Sequence, residues 1–272
     1  MKKIAIGIIA LTLTLGVTSC KENKETDTLT DETSTEIETT NEVETSIQLE
    51  KLENSPAYSD AILKLNEPQN TDNLTSGDVD FDFQVENYNL SEITNSSNTE
   101  KLANSDKGQH IHFILNNEPY SAHYDSSFTK EIPDGVHHLV AFLSRSYHES
   151  VKNDNSVVVR KLTVGKDAVD EQGLQMEEPT LIYSRPKGTY TGKDAKNILL
   201  DFFVLNTELS ESGSKVKATI NGKEFMINEW SPYVLTGLPM GEVTIELELI
   251  DADGNYIEGP FNKVSRTITL SE

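Results

Sequence analysis

An internal repeat is the feature of this sequence that most constrains its fold. Leu63 to Glu92 parallels Leu181 to Glu211, since both segments place a proline five residues in and end in Leu-Ser-Glu. Two later pairs of segments also match, Ile132-Pro-Asp-Gly with Leu238-Pro-Met-Gly and Val158-Val-Arg-Lys-Leu with Val264-Ser-Arg-Thr-Ile. The period is about 115 residues, which is the size of a domain rather than of a solenoid unit. The sequence therefore predicts two tandem domains with one fold.

Within each copy the apolar residues alternate with polar ones. In the run from Val243 to Ile250, apolar residues at every second position are separated by Thr244, Glu246 and Glu248. This period of two is typical of a half-buried strand with one solvent-facing side. Turn signals such as Asn221-Gly222 separate the runs. The pattern predicts an all-β chain of two tandem immunoglobulin-like β-sandwiches, residues 57–165 and 179–272, joined by a linker at 166–178.

The first 20 residues have the pattern of a secretory signal. Residues 1–19 carry two lysines, an apolar run and a small-residue end, and the run is too short to span a membrane as a helix. Val17-Thr18-Ser19-Cys20 resembles the bacterial lipobox, and Cys20 is the only cysteine. This resemblance implies acylation of Cys20 and an outer-membrane anchor, with the periplasmic or surface side left open. The alternative is an ordinary signal peptide with an unrelated cysteine.

Residues 20–56 are rich in Thr, Glu and Asp, with few large apolar side chains. Such a segment cannot bury enough apolar surface to offset its ordering entropy, so the sequence predicts a disordered, self-repelling tether. An interaction tail is the alternative. The whole chain has 45 acidic against 23 basic side chains, a formal charge of −22, which argues against a nucleic-acid partner.

All six histidines lie in the first copy. When the copies are aligned on Asn116 and Asn221, His110 and His112 fall on the outer, polar face of a strand. Side chains at i and i+2 share a face about 7 Å apart, so both imidazoles can bend toward one ion. Neutral imidazole suits zinc and copper. The spacing favours a metal site.

The other histidines complete the predicted site. By comparison with the second copy, the side chain of His137 should point into the core and that of His138 toward solvent. His148 lies in the following loop, and His123 follows the His-x-His strand. The candidate metal ligands are His110, His112, His123, His137, His138 and His148, with one of the pair His137 and His138 belonging to the site. Nearby Asp125, Tyr147 and Glu149 are candidates for a further ligand or a supporting partner. The alternative is that these are ordinary surface or core histidines, His137 being a core residue with satisfied hydrogen bonds.

Four segments in the first copy, residues 108–114, 121–123, 135–137 and 147–149, resemble a family of small secreted bacterial His-rich domains of unassigned function. The resemblance covers roughly residues 105–165 and favours His137 over His138. The family's acidic residue after the strand is replaced here by Asn116-Asn117. The whole chain also resembles lipoproteins often labelled phosphopeptide-binding, although the first copy has only two arginines for an anion site, Arg145 and Arg160.

Catalytic motifs find little support. The sequence has neither a Gly-x-Ser-x-Gly elbow nor a phosphate-binding Gly-rich loop, so no catalytic residue is predicted and the chain is not expected to be an enzyme. The predicted function is an envelope-anchored lipoprotein whose first sandwich captures or hands over copper or zinc. The second copy would act as a spacer or docking module. The alternative is a non-catalytic interaction module that binds a peptide, phosphopeptide or glycan.

Overall fold

The computed structural model describes residues 46–173 and 175–272, which are almost entirely β-strands. The first eight strands are β1 (Gln48–Lys51), β2 (Ile62–Glu67), β3 (Gly77–Glu86), β4 (His110–Leu115), β5 (Ser121–His123), β6 (Ser127–Ile132), β7 (Gly135–Ser144) and β8 (Val157–Val164). A short helix, α1 (Asn98–Lys101), lies between β3 and β4. Strands β2-β3-β6 form one sheet and β5-β4-β7-β8 a second. One apolar core joins residues of both sheets, so the first copy is a β-sandwich.

The second copy repeats this architecture. Its strands are β9 (Thr180–Arg185), β10 (Thr189–Thr191), β11 (Ile198–Leu205), β12 (Lys215–Ile220), β13 (Lys223–Ile227), β14 (Tyr233–Thr236), β15 (Gly241–Ile250) and β16 (Lys263–Ser271). A 3₁₀ turn lies at Gly192–Ala195. The sheets have the orders β1-β14-β11-β9 and β10-β16-β15-β12-β13, and a second apolar core lies between them. The chain is thus an all-β protein of two immunoglobulin-like sandwiches.

The same turn follows β4 and β12. Asn116 and Asn221 both adopt left-handed backbone conformations, with φ of 51° and 46°, which asparagine tolerates better than most residues. The side-chain oxygen of Asn116 accepts a hydrogen bond from the amide of His138, and that of Asn221 accepts one from the amide of Thr244, each at 2.8 Å. The repeat seen in the sequence is therefore a repeat of structure, and His138 and Thr244 occupy equivalent positions.

The alternation of apolar residues is confirmed on the core side of the strands. In the first copy Ile111, Phe113 and Leu139 are buried in the core, and in the second Val243 and Ile245 are buried in theirs. Each strand therefore directs every second side chain into its own sandwich.

The prediction that the outer face of β4 and β7 is exposed to solvent is wrong. A third apolar cluster contains Ile114, Val140 and Phe142 of the first copy together with Ile182 and Phe203 of the second. The rings of Phe142 and Phe203 have centroids 4.5 Å apart. The outer face of β4 and β7 is covered by β9 and β11 because Ile114, Val140 and Phe142 on it are apolar.

The prediction of disorder over the whole of residues 20–56 is wrong at the C-terminal end of that range. Strand β1 lies inside the range 20–56 and pairs antiparallel with β14, placing Leu49 opposite Leu235. Ile47 and Leu49 pack against the second core, which gives this stretch the apolar surface that the acidic segment before it lacks. The signal segment, Cys20 and residues 20–45 lie outside the described residues.

The predicted linker at 166–178 falls between the end of β8 and the start of β9, and its described residues carry no strand. Among the described residues, no helix has the length and apolar character required to cross a membrane.

Candidate metal centre

Three of the six histidines converge where the two sandwiches meet. The Nε2 atom of His110 lies 2.9 Å from Nε2 of His112 and 3.1 Å from Nδ1 of His148. One nitrogen from each ring lies within 4.8 Å of the other two. These three side chains form what we call the histidine triad.

The triad follows from strand alternation and from one turn. His110 and His112 both point to the outer face of β4, two residues apart. His110 pairs with Ser144 at the end of β7, so the turn that follows brings His148 back over His110. His148 adopts a left-handed φ of 70°, and its amide donates to the Arg145 carbonyl at 2.8 Å. His148, which is distant in the sequence, thereby reaches His110 and His112.

A buried ion pair fixes this turn. Arg145 and Glu149 are bridged at 2.9 Å, and both side chains are almost fully buried. Arg145 also donates to the carbonyls of Ser150 and Pro56. With its charge and donors satisfied, the turn holds His148 in one position.

In His110 and His112, the nitrogens that face away from the triad centre are hydrogen-bonded. Nδ1 of His110 lies 2.8 Å from the Gly108 carbonyl, and Nδ1 of His112 lies 3.3 Å from Oγ of Ser184. A carbonyl only accepts, so Nδ1 of neutral His110 carries the proton and its Nε2 presents a lone pair to the triad. Imidazoles that bind metals are oriented in this way by a hydrogen bond on the other nitrogen.

Burial keeps the triad neutral. Loss of hydration lowers the pKa of His110 to about 4 and lowers the pKa of His112 and of His148 well below the ordinary histidine value. The positive charges of Arg185 and Lys187 act in the same direction on all three. The neutral form is the one that ligates a metal.

Two of the three nitrogen separations in the triad are close to those of a metal site, and the third is within 4.8 Å. Ligands at about 2.0–2.1 Å from zinc in tetrahedral or trigonal geometry lie about 3.3–3.6 Å apart. The two shorter separations in the triad, 2.9 and 3.1 Å, need only widen by a few tenths of an ångström. In the part of the chain that the structure describes, no aspartate or glutamate joins the group.

The residues that surround the triad were not predicted from the sequence. The Tyr120 ring stacks on His112 with centroids 3.5 Å apart, and its hydroxyl lies 3.2 Å from Nδ1 of His148. From the second copy, Lys187 donates to the Tyr120 carbonyl at 2.6 Å, and the Arg185 guanidinium lies 5.2 Å from the Tyr120 ring centre. A signal for these two cations was present, because Arg185-Pro-Lys replaces Glu67-Pro-Gln of the first copy.

The remaining three histidines are not part of this group, contrary to the predicted ligand set. The His123 ring stacks on Phe128 with centroids 3.4 Å apart, on the core side of β5. Nε2 of His137 donates to the Pro133 carbonyl at 2.8 Å, and its Nδ1 accepts from Asn116. His137 is thus a buried histidine with satisfied hydrogen bonds, as the alternative interpretation held.

The side chain of His138 faces away from the core of its own sandwich, as the alternation of the strand predicts, but it is only 4% exposed. Its ring stacks on Phe261 of the second copy, with centroids 5.5 Å apart, and burial lowers its pKa to about 4. The opposed directions of His137 and His138 follow from strand alternation, so neither reaches the triad.

The three predicted supporting residues have other roles. Glu149 is paired with Arg145 and hydrogen-bonded by Ser55, and the hydroxyl of Tyr147 donates to Ser55 at 2.9 Å. Asp125 lines a surface cavity beside His123. None of them makes a described hydrogen bond to the triad, whose partners are Gly108, Ser184 and Tyr120.

The fold and site define an all-β protein of two sandwiches with a buried cluster of three imidazoles at their junction. No family model and no curated protein matches the chain. Among solved structures, it is similar to the fibronectin(III)-like modules of Clostridium thermocellum CbhA (13% identity, 77% of this chain and 94% of that one, TM-score 0.27). It is also similar to the two tandem V-type regions of the chitin binding protein VCBP3 (8% identity, 78% and 100%, TM-score 0.23).

A third similar structure is the Bacteroides ovatus mixed-linkage glucan protein SGBP-B (9% identity, 77% of this chain and 70% of that one, TM-score 0.22). At these scores we draw no functional argument from the likenesses.

Proposed function

We propose that this chain is a binding protein for a transition-metal ion, copper or zinc, held by His110, His112 and His148. The observation that carries the proposal is the convergence of three imidazole nitrogens in a buried group. The hydrogen bonds of Gly108 and Ser184 to the opposite nitrogens support it, because they orient two rings toward a common point. The role is capture or handover rather than catalysis.

Titration of the purified, metal-stripped protein with Cu(II) and with Zn(II) tests the proposal. We expect one ion per chain. His148→Gln should lower the affinity at least about 100-fold, since one of three ligands is lost. His148 suits the test because it is partly exposed, whereas His110 and His112 are fully buried. His123→Gln is the matched control and should bind as the wild type does. The absence of stoichiometric binding, or equal losses in both variants, would contradict the proposal.

The location of this function rests on the N-terminal sequence. We propose that Cys20 carries lipid and anchors the protein to the outer membrane, because Val17-Thr18-Ser19-Cys20 resembles a lipobox. Incorporation of labelled palmitate that disappears in Cys20→Ser would support this, and equal labelling of both proteins would contradict it.

A second candidate function is binding of a glycan or peptide, and one groove favours it. An open cavity of about 670 Å³ lies where the copies meet and is lined by Trp230, Phe203, Leu205 and Val157 among others. Aromatic walls of this kind suit a sugar face or an apolar side chain. Trp230 is the only tryptophan of the chain, so its fluorescence should change when soluble oligosaccharides or peptides are added. An unchanged spectrum across both classes would contradict this function.

A further inference from the structure

The charged side chains that act on the histidine triad are cations. Arg185 and Lys187 both lie against the Tyr120 ring, which stacks on His112 and whose hydroxyl lies 3.2 Å from Nδ1 of His148. They come from the second sandwich, while the triad comes from the first. In the described chain no carboxylate belongs to the triad to offset them.

Lys187 lies close to the triad, with one aromatic ring between them. Its Nζ atom is 3.7 Å from the centre of the Tyr120 ring, whose centroid is 3.5 Å from that of His112. The ammonium and the imidazole therefore occupy opposite faces of one phenol. Burial raises the pKa of Tyr120, so the phenol stays neutral and does not cancel the charge.

Arg185 is buried, and no ion pair among the described residues includes it. The guanidinium donates to the Tyr190 hydroxyl at 2.8 Å, and its Nε has no hydrogen-bond partner. Like Lys187, it lies against the Tyr120 ring. Two uncompensated positive charges therefore lie beside a group of three neutral ligands.

We propose, building on the metal-binding function above, that the triad selects Cu(I) over Zn(II). The repulsion between the two cations and a bound ion grows in proportion to the charge of that ion. A divalent ion meets twice the repulsion that a monovalent ion does, and three imidazoles supply no negative charge to offset it. Zn(II) also calls for a fourth ligand, whereas Cu(I) is satisfied by two or three.

The selectivity is measured by competition titration of the purified protein. Cu(I) is titrated without oxygen against a Cu(I) chelator, and Zn(II) against a fluorescent zinc chelator. We expect Cu(I) to bind at least about 100-fold more tightly than Zn(II). Zn(II) binding as tight as Cu(I) would overturn the inference while leaving the metal-binding function in place. If neither ion bound, the metal-binding function itself would fail.

A charge-neutralising variant tests the cause. Lys187→Met keeps the apolar stem over Tyr120 and removes the charge. The repulsion that this substitution removes is twice as large for a divalent ion as for a monovalent one. We therefore expect the affinity for Zn(II) to rise about tenfold and the affinity for Cu(I) about threefold. Lys64→Met, at an exposed position of β2, is the matched control and should change neither affinity. Equal gains for the two ions, or no gain for either, would overturn the electrostatic origin of the selectivity.

Discussion

The two copies share a fold but differ in what lies over the outer face of one sheet. In the first copy, the non-core side chains of β4 and β7 include His112, Ile114 and Phe142, all fully buried. The equivalent strands of the second copy, β12 and β15, carry lysine, threonine and glutamate there, with a salt bridge between Lys217 and Glu248. The first face forms the interface and holds the histidine triad, whereas the second carries paired charges and polar side chains. The alternation of the strands creates both faces, and the residues placed on them decide which is covered.

The largest effect is expected at a buried acid of the interface. Asp201 on β11 accepts hydrogen bonds from the amide and the hydroxyl of Ser150 at 3.2 and 3.0 Å and pairs with Lys152, both from the first copy. Asp201→Asn leaves Lys152 without its charge partner, which should lower the free energy of unfolding by about 3–5 kcal/mol. Urea denaturation measures this change.

The matched control is the equivalent acid of the first copy. Asp82 and Asp201 each stand five residues before an asparagine with left-handed φ, Asn87 and Asn206. Asp82 is partly exposed and belongs to no ion pair of the described residues, so Asp82→Asn should leave the urea midpoint nearly unchanged. Equal shifts of the urea midpoint in the two variants would show that the face of β11 carrying Asp201 is not buried against the first copy in solution.

The next effect concerns apolar contact. Ile114 is fully buried in the interface, and Thr219 holds the same position on β12. Ile114→Ala should cost about 2–5 kcal/mol by leaving a cavity, while Thr219→Ala should cost less than about 1 kcal/mol. Thermal unfolding of both variants beside the wild type measures the difference. A cost for Ile114→Ala as small as that for Thr219→Ala would mean that the two copies separate freely.

A smaller effect is expected on metal affinity through Ser184, the second-copy residue that contacts Nδ1 of His112. Ser184→Ala should weaken binding about 10–100-fold, the usual effect of removing a hydrogen bond that orients a ligand. Asn66 holds the equivalent position on β2, away from the triad, so Asn66→Ala should bind as the wild type does. Unchanged affinity for Ser184→Ala would show that the second copy plays no part in the site.

The smallest effect is a pH dependence. Burial lowers the pKa of His138 to about 4 in the folded chain, against about 6.5 when unfolded. The unfolded chain therefore binds a proton first, so this contribution to stability is complete above about pH 6.5 and is lost as the pH falls toward 4. Changing His138 to threonine, the residue of the second copy at that position, should remove up to about 1.4 kcal/mol per pH unit of the dependence between about pH 6.5 and 5. Urea midpoints in the presence of a chelator measure it, and identical slopes would contradict the assignment.

Much of the fold could be predicted from the sequence, because the alternation of apolar residues and the internal repeat are both visible along the chain. The equivalence of His138 and Thr244, and the core positions of Ile111 and Phe113, follow directly from them. The pairing of His110 with His112 could also be predicted, since residues two apart on a strand share a face.

The burial of the triad could not be predicted in the same way. It depends on contact between residues far apart in the chain, such as His112 with Ser184, and no spacing rule reaches across two domains. The inclusion of His148 and the exclusion of His123 depend on the path of one turn and on a stack against Phe128. The acidic composition of 20–56 predicted disorder throughout that range, but the apolar Leu49 lies opposite Leu235 in the pairing of β1 with β14.

The interface joins different sheets of the two copies, β4 and β7 of the first to β9 and β11 of the second. Such a head-to-tail contact does not close on itself. The face of β3 in the first copy and the face of β15 in the second are the surfaces on which another copy could stack, as in an open filament. Here the outer face of β3 presents Asp78, Asp80 and Asp82, and that of β15 presents Glu246 and Glu248. The two carboxylates of β15 are paired with Lys217 and Lys263. Each end thus carries charged side chains at these positions, as the capping units of a repeat array do. A further copy stacked on either end would therefore have to remove these charged groups from water.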